Sequence, residues 1–297
     1  MHSEHFWEVG AGDEGQRVDR WLADRLGISR SVARRLLDLG ALTIDGRAAT
    51  RKSQALHLGM RLELDGSALE AQTRARRRLD LPIAVLQENA AWVAVDKPAG
   101  MAVHPLHGRQ TETMLNALLA RYPEMDGIGE GGLRSAVVHR LDLPTSGVLL
   151  FARTQSAWQE LRAAFSEHRV EKLYRAVVHG CFEGEEWVEL PLAVTRHRPA
   201  RVEVVPPEAA LSGQHLCATQ FRSAEIGDGW SLVEARPRTG FLHQIRVSLA
   251  HLGHPILGDE LYGGPLAGRL GLHALRIEAL GCTVESPQPV DFNSLMK

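Results

Sequence analysis

Val137-Val138-His139-Arg140-Leu141-Asp142-Leu143-Pro144-Thr145-Ser146-Gly147-Val148-Leu149-Leu150-Phe151-Ala152 places two apolar runs on either side of a polar turn. SAVVHRLD (135–142) and GVLLFART (147–154) are short, apolar and β-branched, which suits strands of a buried sheet. Pro144, Thr145, Ser146 and Gly147 suit the turn between them. A sheet-anchored turn can display Asp142 into a cleft, with the Thr145 and Ser146 hydroxyls bonding turn backbone. The competing reading is an aspartate that only caps the turn.

Further runs extend the same sheet. EKLYRAVVHG (171–180), ATQFRSAEI (218–226), WSLVEARP (230–237), HALRIEA (273–279) and TVES (283–286) read as strands. TMLNALLARY (113–122), residues 155–168 and FLHQIRVSLAHLG (241–253) read as helices, the last closed by Gly253. IAVLQENAAWVAVDKPAGMAVHP (83–105) holds two apolar segments and breaks at Asp96-Lys97-Pro98-Ala99-Gly100. Strands outnumber helices and short turns join several of them. The expected class is α+β: a larger domain on a mixed, mostly antiparallel sheet with flanking helices, preceded by a small α/β unit.

That unit begins with RVDRWLADRL (17–26), where Val18, Trp21, Leu22 and Leu26 share one helical face. Ser29 is placed to cap a second helix, RSVARRLLDLG, with Gly40 at its end. Val32, Leu36 and Leu39 face its core side, while Arg30, Arg34 and Arg35 lie off that stripe and project outward. Asp45-Gly46 predicts a tight turn between short strands. The expected layout is a tail over 1–15, the small unit over 16–66, a linker over 67–80 ending in Arg76-Arg77-Arg78, and the larger domain over 81–297.

Composition narrows the class of protein. Of 297 residues, 44% are hydrophobic and 24% charged, as in a globular chain. No apolar run approaches the ~20 residues of a membrane span, and the polar N-terminus is unlike a secretory leader. Cytoplasmic location and a monomer are expected, with Cys181, Cys217 and Cys282 as buried thiols. The net charge of −2 is unevenly spread. Residues 16–78 carry 14 Lys/Arg against 7 Asp/Glu, a net of +7, which leaves −9 for the rest. A basic block on an acidic body fits capture of a polyanion.

HRLD-x-x-TSG-x-x-x-x-A (139–152) resembles the signature of the RluA/RluD-type pseudouridine synthases. KPAGMAVHP (97–105), KLYRAVVHG (172–180), TG-x-x-HQIRVSLAHLGHPILGDELYG (239–263) and LHALRI (272–277) resemble further motifs of that family in their usual order. The stretch around SRS-x-A-R-R-L resembles an S4-like RNA-binding domain. The resemblance implies an isomerase of uridine in structured RNA that needs no cofactor and no metal. It implies Asp142 as the essential catalytic aspartate, Tyr174 stacked on the uracil near the departing carbon-5 proton, and Arg246 paired with the carboxylate. It further implies that Arg140 enters the RNA where the base has left. Arg30, Arg34, Arg35 and Lys52 would contact phosphates, since guanidiniums bind them bidentately. Two positions depart from the family: Phe241 stands where a basic residue is usual, and Gln214 lies where a lysine is usual nearby. Large-subunit ribosomal RNA is the favoured partner and transfer RNA the second. A non-catalytic RNA-binding or ribosome-assembly factor is the alternative function, and an aspartate-dependent hydrolase a third.

Other signals are set aside. Gly127–Gly132 follows no strand, so it reads as a loop and not a dinucleotide site. His243, His251 and His254 lack the neighbours of a metal site and read as structural. Asp259 is expected to bond loop backbone. His104 and His107 fit either a cleft wall or a loop.

Overall fold

The computed structural model describes residues 4–197, 199–206 and 213–296. In the N-terminal unit, α1 (Val18–Leu26) buries Val18, Trp21 and Leu22. Helix α2 (Arg30–Asp38) begins at Ser29, whose hydroxyl accepts from the Val32 N–H at 3.3 Å. It buries Val32, Leu36 and Leu37; Leu39, expected inside, is exposed. Asp45 and Gly46 have φ of 49° and 76°, the paired positive values of a tight hairpin turn. They join β2 (Leu42–Ile44) to β3 (Arg47–Ala48), and β4 (Arg61–Leu64) lies beside β2.

Two expectations about this unit change. Residues 1–15 are not simply a tail: His5–Glu8 form β1, antiparallel to β4, giving the sheet order β1-β4-β2-β3. Trp7 earns that strand its place by packing edge-on against Trp21, with centroids 5.5 Å apart. Met1–Ser3 of the expected tail lie outside the described residues. The expected linker also begins as a helix, α3 (Gly66–Thr73), capped by Asp65, which accepts from the Ser67 and Ala68 N–H groups. The chain beyond it is tied to the larger domain. The Arg78 N–H donates to the Asn116 carbonyl, and the Arg78 guanidinium pairs with Asp80 and reaches Thr111.

The larger domain is one ten-stranded sheet. Its strands are β5 (Ala84–Glu88), β6 (Trp92–Lys97), β7 (Ser146–Ala152), β8 (Glu171–His179), β9 (Glu185–His197), β10 (Ala200–Val204), β11 (His215–Ile226), β12 (Trp230–Pro237), β13 (Leu272–Ala279) and β14 (Cys282–Glu285). The order is β10-β9-β11-β12-β8-β13-β7-β6-β5, with β14 on β13. Among the described strands only β7 and β13 pair in parallel, over His273 with Ser146 and Ala274 with Gly147. Helix α4 (Met114–Arg121) covers Val93, Val95, Leu149 and Phe151, while α5 (Gln155–Ser166) covers the alternate residues Ala94, Val148 and Leu150. Covered on both faces, β7 is buried at every position, hence its unbroken apolar sequence. Helix α6 (Gln244–His251) packs Ile245 and Leu249 against the β8–β12 part of the sheet.

The reading of 135–142 as a strand fails. Ser135 and Val137 make only isolated bridges, to Gly129 and Phe151, and the chain from 138 to 145 runs irregularly. Strands β9 and β10 were not expected, because Pro191 and the surrounding glutamates mask the pattern. Of the three thiols, Cys217 is buried but Cys181 is exposed.

Gly147 is where the strand carrying the turn can approach β13. Its φ is +116°, and a Cβ there would lie 2.1 Å from the Ala274 carbonyl oxygen. Gly147→Ala is therefore expected to lower stability by about 3 kcal/mol, read as a fall of roughly 10 °C in melting temperature. A melting point unchanged within about 2 °C would contradict this close approach.

Candidate active site

Asp142 stands on the irregular segment ahead of β7. Its carbonyl accepts from the Thr145 N–H at 3.1 Å, which closes the turn. The hydroxyls expected to hold the turn do something else. Ser146 Oγ bonds His273 Nδ1 at 2.8 Å and the Arg269 guanidinium at 2.5 Å. Thr145 Oγ1 is buried with no partner among the described residues. Lys97, fully buried on β6, donates to the carbonyls of Pro98, Met101 and Leu143 and so pins the turn from behind. Burial pulls its ammonium down to about 8, partly offset by Asp142.

The carboxylate faces a cavity of about 460 Å³ lined by Asp142, Tyr174, Arg246, His243, Lys172 and Phe241 among others. That volume lies in the range of small-molecule sites, roughly 300–1,000 Å³. Arg246, on α6, places Nη1 3.3 Å from Asp142 Oδ2. The other edge of the guanidinium grips Asp259, with Nε and Nη2 each 2.7 Å from a carboxylate oxygen. Burial opposes the Arg246 charge, but the Asp259 hydrogen bonds and the two carboxylate charges outweigh it, so the cation is held above its ordinary range. Tyr262 lies under the same guanidinium, its ring centroid 5.1 Å away. Arg246 is thus fixed by Asp259 and Tyr262 before it meets Asp142.

Tyr174 enters the cavity from β8. Burial and the Asp142 charge push its phenol up, so the hydroxyl stays protonated at neutral pH. Lys172, two residues earlier on the same face, donates to the Thr239 carbonyl at 2.8 Å, and burial lowers it to about 8. His139 also lines the cavity, but its ring stacks on Phe165 at 4.6 Å and it accepts from the Leu150 N–H. Burial and the nearby Lys172 lower it to about 3, so it is neutral. Arg140 is exposed at the cavity wall and makes no ion pair among the described residues.

A sequence profile of RNA pseudouridylate synthases matches residues 91–251, more than half of the chain, and an S4 domain profile matches residues 16–62. The chain belongs to the RNA pseudouridylate synthase family. It is 32% identical over 301 residues to the ribosomal large subunit pseudouridine synthase D of Pseudomonas aeruginosa, covering 94% of this chain and 90% of that one. It is 37% identical over 253 residues to the protein of that name from Xanthomonas campestris, covering 85% and 72%. Among solved structures it resembles human RNA pseudouridylate synthase domain containing 1, with a TM-score of 0.58, 25% identity, and coverage of 72% of this chain and 86% of that one. The pseudouridine synthase is an isomerase, and its S4 domain is an RNA-binding unit. No helix among the described residues is long and apolar enough to cross a membrane.

The synthase brings Asp142, Tyr174 and Arg246 to one cavity, as the sequence predicts, with Arg140 at its wall. The S4 cations are less free than expected. Arg30 and Arg34, together with Arg17, converge on buried Asp19 at 3.3, 2.8 and 3.1 Å. Burial raises the Asp19 carboxyl, yet the three arginines overcome this and hold it well below the carboxylate range. Arg30 and Arg34 remain about half exposed, 53% and 45%, so each keeps N–H donors toward solvent. Arg35 is partly buried and does not project outward, and Lys52 is paired with Asp38 at 2.8 Å.

Sequence reading missed three groups. Asp259 bonds Arg246 with its side chain and not loop backbone. His243, read from the sequence as structural, lines the cavity with its Nε2 3.9 Å from Asp142 Oδ2. Lys97 holds the turn. The HQIR and GDELYG motifs already carried the first two; what the sequence lacked was the fold that joins them. Among the described residues no group of three or more His, Cys, Asp or Glu could hold a metal. His104 is buried with Nδ1 on the Pro105 carbonyl, away from this cavity's lining.

Proposed function

We propose that the synthase converts specific uridines of large-subunit ribosomal RNA to pseudouridine. Asp142 is the reacting carboxylate, Arg246 its charge partner, and Tyr174 the face on which the uracil lies. The observation that carries this reading is the 3.3 Å contact of Arg246 with Asp142 at the wall of a cavity of about 460 Å³. A base within folded RNA must be everted to reach it, at a cost of a few kcal/mol. Exposed Arg140 at the wall fills the vacated stack. The protonated Tyr174 phenol offers an aromatic face, worth about 1–3 kcal/mol to a base, and does not serve as a phenolate base. The reaction breaks the N1–C1′ bond, turns the ring and joins C5 to C1′. The C5 proton leaves and N1 gains one, so no redox partner is needed.

The ribosomal target is supported by the names of the two bacterial relatives and by an S4 unit suited to bulky folded RNA. The test is to map pseudouridines in total RNA from a strain lacking the gene, complemented with wild type or Asp142→Asn. Loss confined to large-subunit ribosomal RNA is expected. Loss in transfer RNA alone would overturn the target. A smaller effect is expected at the S4 unit. Arg34→Met leaves Arg17 and Arg30 on Asp19 but removes one phosphate-binding cation. RNA affinity should fall roughly tenfold, and the slope of log K against log salt should drop by about one. An unchanged salt slope, measured by filter binding, would remove Arg34 from the RNA surface.

A further inference from the structure

His243 is the one cavity residue whose backbone is held in the left-handed region, with φ of 53° directly before α6. A β-carbon-bearing residue resists that conformation, so the surrounding fold must impose it. The backbone of 241–244 is pinned for this purpose. Gln244 Oε1 accepts from the Phe241 N–H at 3.0 Å and from the Thr239 hydroxyl at 2.8 Å, while Gln244 Nε2 donates to the Ala218 carbonyl and the Thr219 hydroxyl.

Among the described residues the ring has a hydrogen-bond partner at Nδ1, while Nε2 has only the more distant Asp142. His243 Nδ1 lies 2.7 Å from Tyr262 Oη. That phenolic oxygen already accepts from the Val202 N–H at 3.0 Å. With that bond accepted, the phenol can donate its own proton to Nδ1. An imidazole that accepts at Nδ1 carries its proton at Nε2 when neutral. Burial lowers the imidazole and favours the neutral form; Asp142 and Asp259 oppose this, while Arg246 and Arg140 reinforce it. In that tautomer the Nε2–H points into the cavity toward Asp142. At 3.9 Å from Oδ2 it is too far for a direct hydrogen bond. A substrate group engaged by Asp142 brings its neighbouring atoms within reach of this donor.

We propose that His243 is a further catalytic residue: its Nε2–H, fixed by Tyr262, donates a hydrogen bond to a carbonyl oxygen of the everted uracil as negative charge builds on the ring. This rests on Asp142 being the reacting carboxylate. If Asp142 acts at C1′, the N1–C1′ electron pair stays on the detached ring and spreads to its oxygens. If it adds to the ring, the charge passes to a carbonyl oxygen as well. Both routes need a fixed donor at the same kind of atom. A pre-placed donor of this sort contributes without reorganising. No proton is transferred from His243. Tyr262 is a positioning residue, acting through the tautomer it selects.

The first test needs no RNA. In 15N-histidine spectra of the free synthase, His243 should show an unprotonated Nδ1 and a protonated Nε2, and Tyr262→Phe should abolish that preference. A protonated Nδ1 in the wild type would overturn the proposal. The second test uses transcribed large-subunit ribosomal RNA labelled with tritium at uridine C5. His243→Leu should lower kcat about 100-fold or more with KM changed less than about threefold, and His243→Gln, which keeps an N–H donor, should recover at least about tenfold of that loss. A His243→Leu enzyme with wild-type kcat, or a glutamine variant no better than leucine, would overturn it. Asp142→Asn is assayed in parallel. An active Asp142→Asn enzyme condemns the carboxylate assignment itself, whereas an inactive one beside an active His243→Leu enzyme condemns only the histidine.

Discussion

Asp142→Asn should stop pseudouridine formation, with turnover down by about 10⁴-fold or more, while RNA affinity changes by less than about threefold. The size of the loss follows from what the substitution removes. An amide is nearly the shape of a carboxylate but has neither its charge nor its basicity, and it cannot attack or assist departure of a base. The small effect on folding follows from the neighbours. The turn is closed by the backbone carbonyl of Asp142, not by its side chain. Arg246 keeps its two-point grip on Asp259 at 2.7 Å, so no buried guanidinium is orphaned. Asp142→Asn should accordingly melt within about 3 °C of wild type. Tritium release from labelled RNA, filter binding and a melting curve check the three statements together. Turnover within tenfold of wild type would remove Asp142 from the chemistry.

The sequence disclosed most where one residue type had one job. Asp45-Gly46 gave a hairpin because both positions need positive φ, and Ser29 gave a helix start because its hydroxyl meets a free N–H. The trio Asp142, Tyr174 and Arg246 was legible because it falls in three motifs of a known family. Legibility failed where a residue's role depends on distant chain. Asp259 looked like a loop aspartate until α6 and the loop after it brought Arg246 onto it. Arg30 and Arg34 looked like outward cations because Asp19 is on another helix, and helical spacing within α2 says nothing of it. His139 lies three residues from Asp142 in the same motif, yet its ring stacks on Phe165 and accepts from the Leu150 N–H. Local periodicity reports which face is buried, not which distant charge it meets there.

Arg246→Met carries the second large effect, and it separates what holds the fold from what runs the reaction. The guanidinium is the shared partner of two carboxylates, one of them, Asp259, almost wholly buried at 1% side-chain exposure. Removing it should cost about 3–5 kcal/mol of stability, the usual penalty for an uncompensated buried charge. Activity should fall about 10³-fold or more, because Asp142 loses its fixed counter-charge. A double variant, Arg246→Met with Asp259→Leu, replaces the buried pair by apolar groups of similar volume. Such exchanges are often neutral for folding. The double variant should therefore regain most of the denaturation midpoint lost by the single one and none of the turnover. If turnover returns with stability, Arg246 acts only by keeping α6 in place, and its contact with Asp142 is incidental. If stability does not return, the Arg246–Asp259 pair is not the source of the loss and the geometry around Tyr262 must be responsible. Restored folding without restored chemistry is the outcome that the 3.3 Å contact demands.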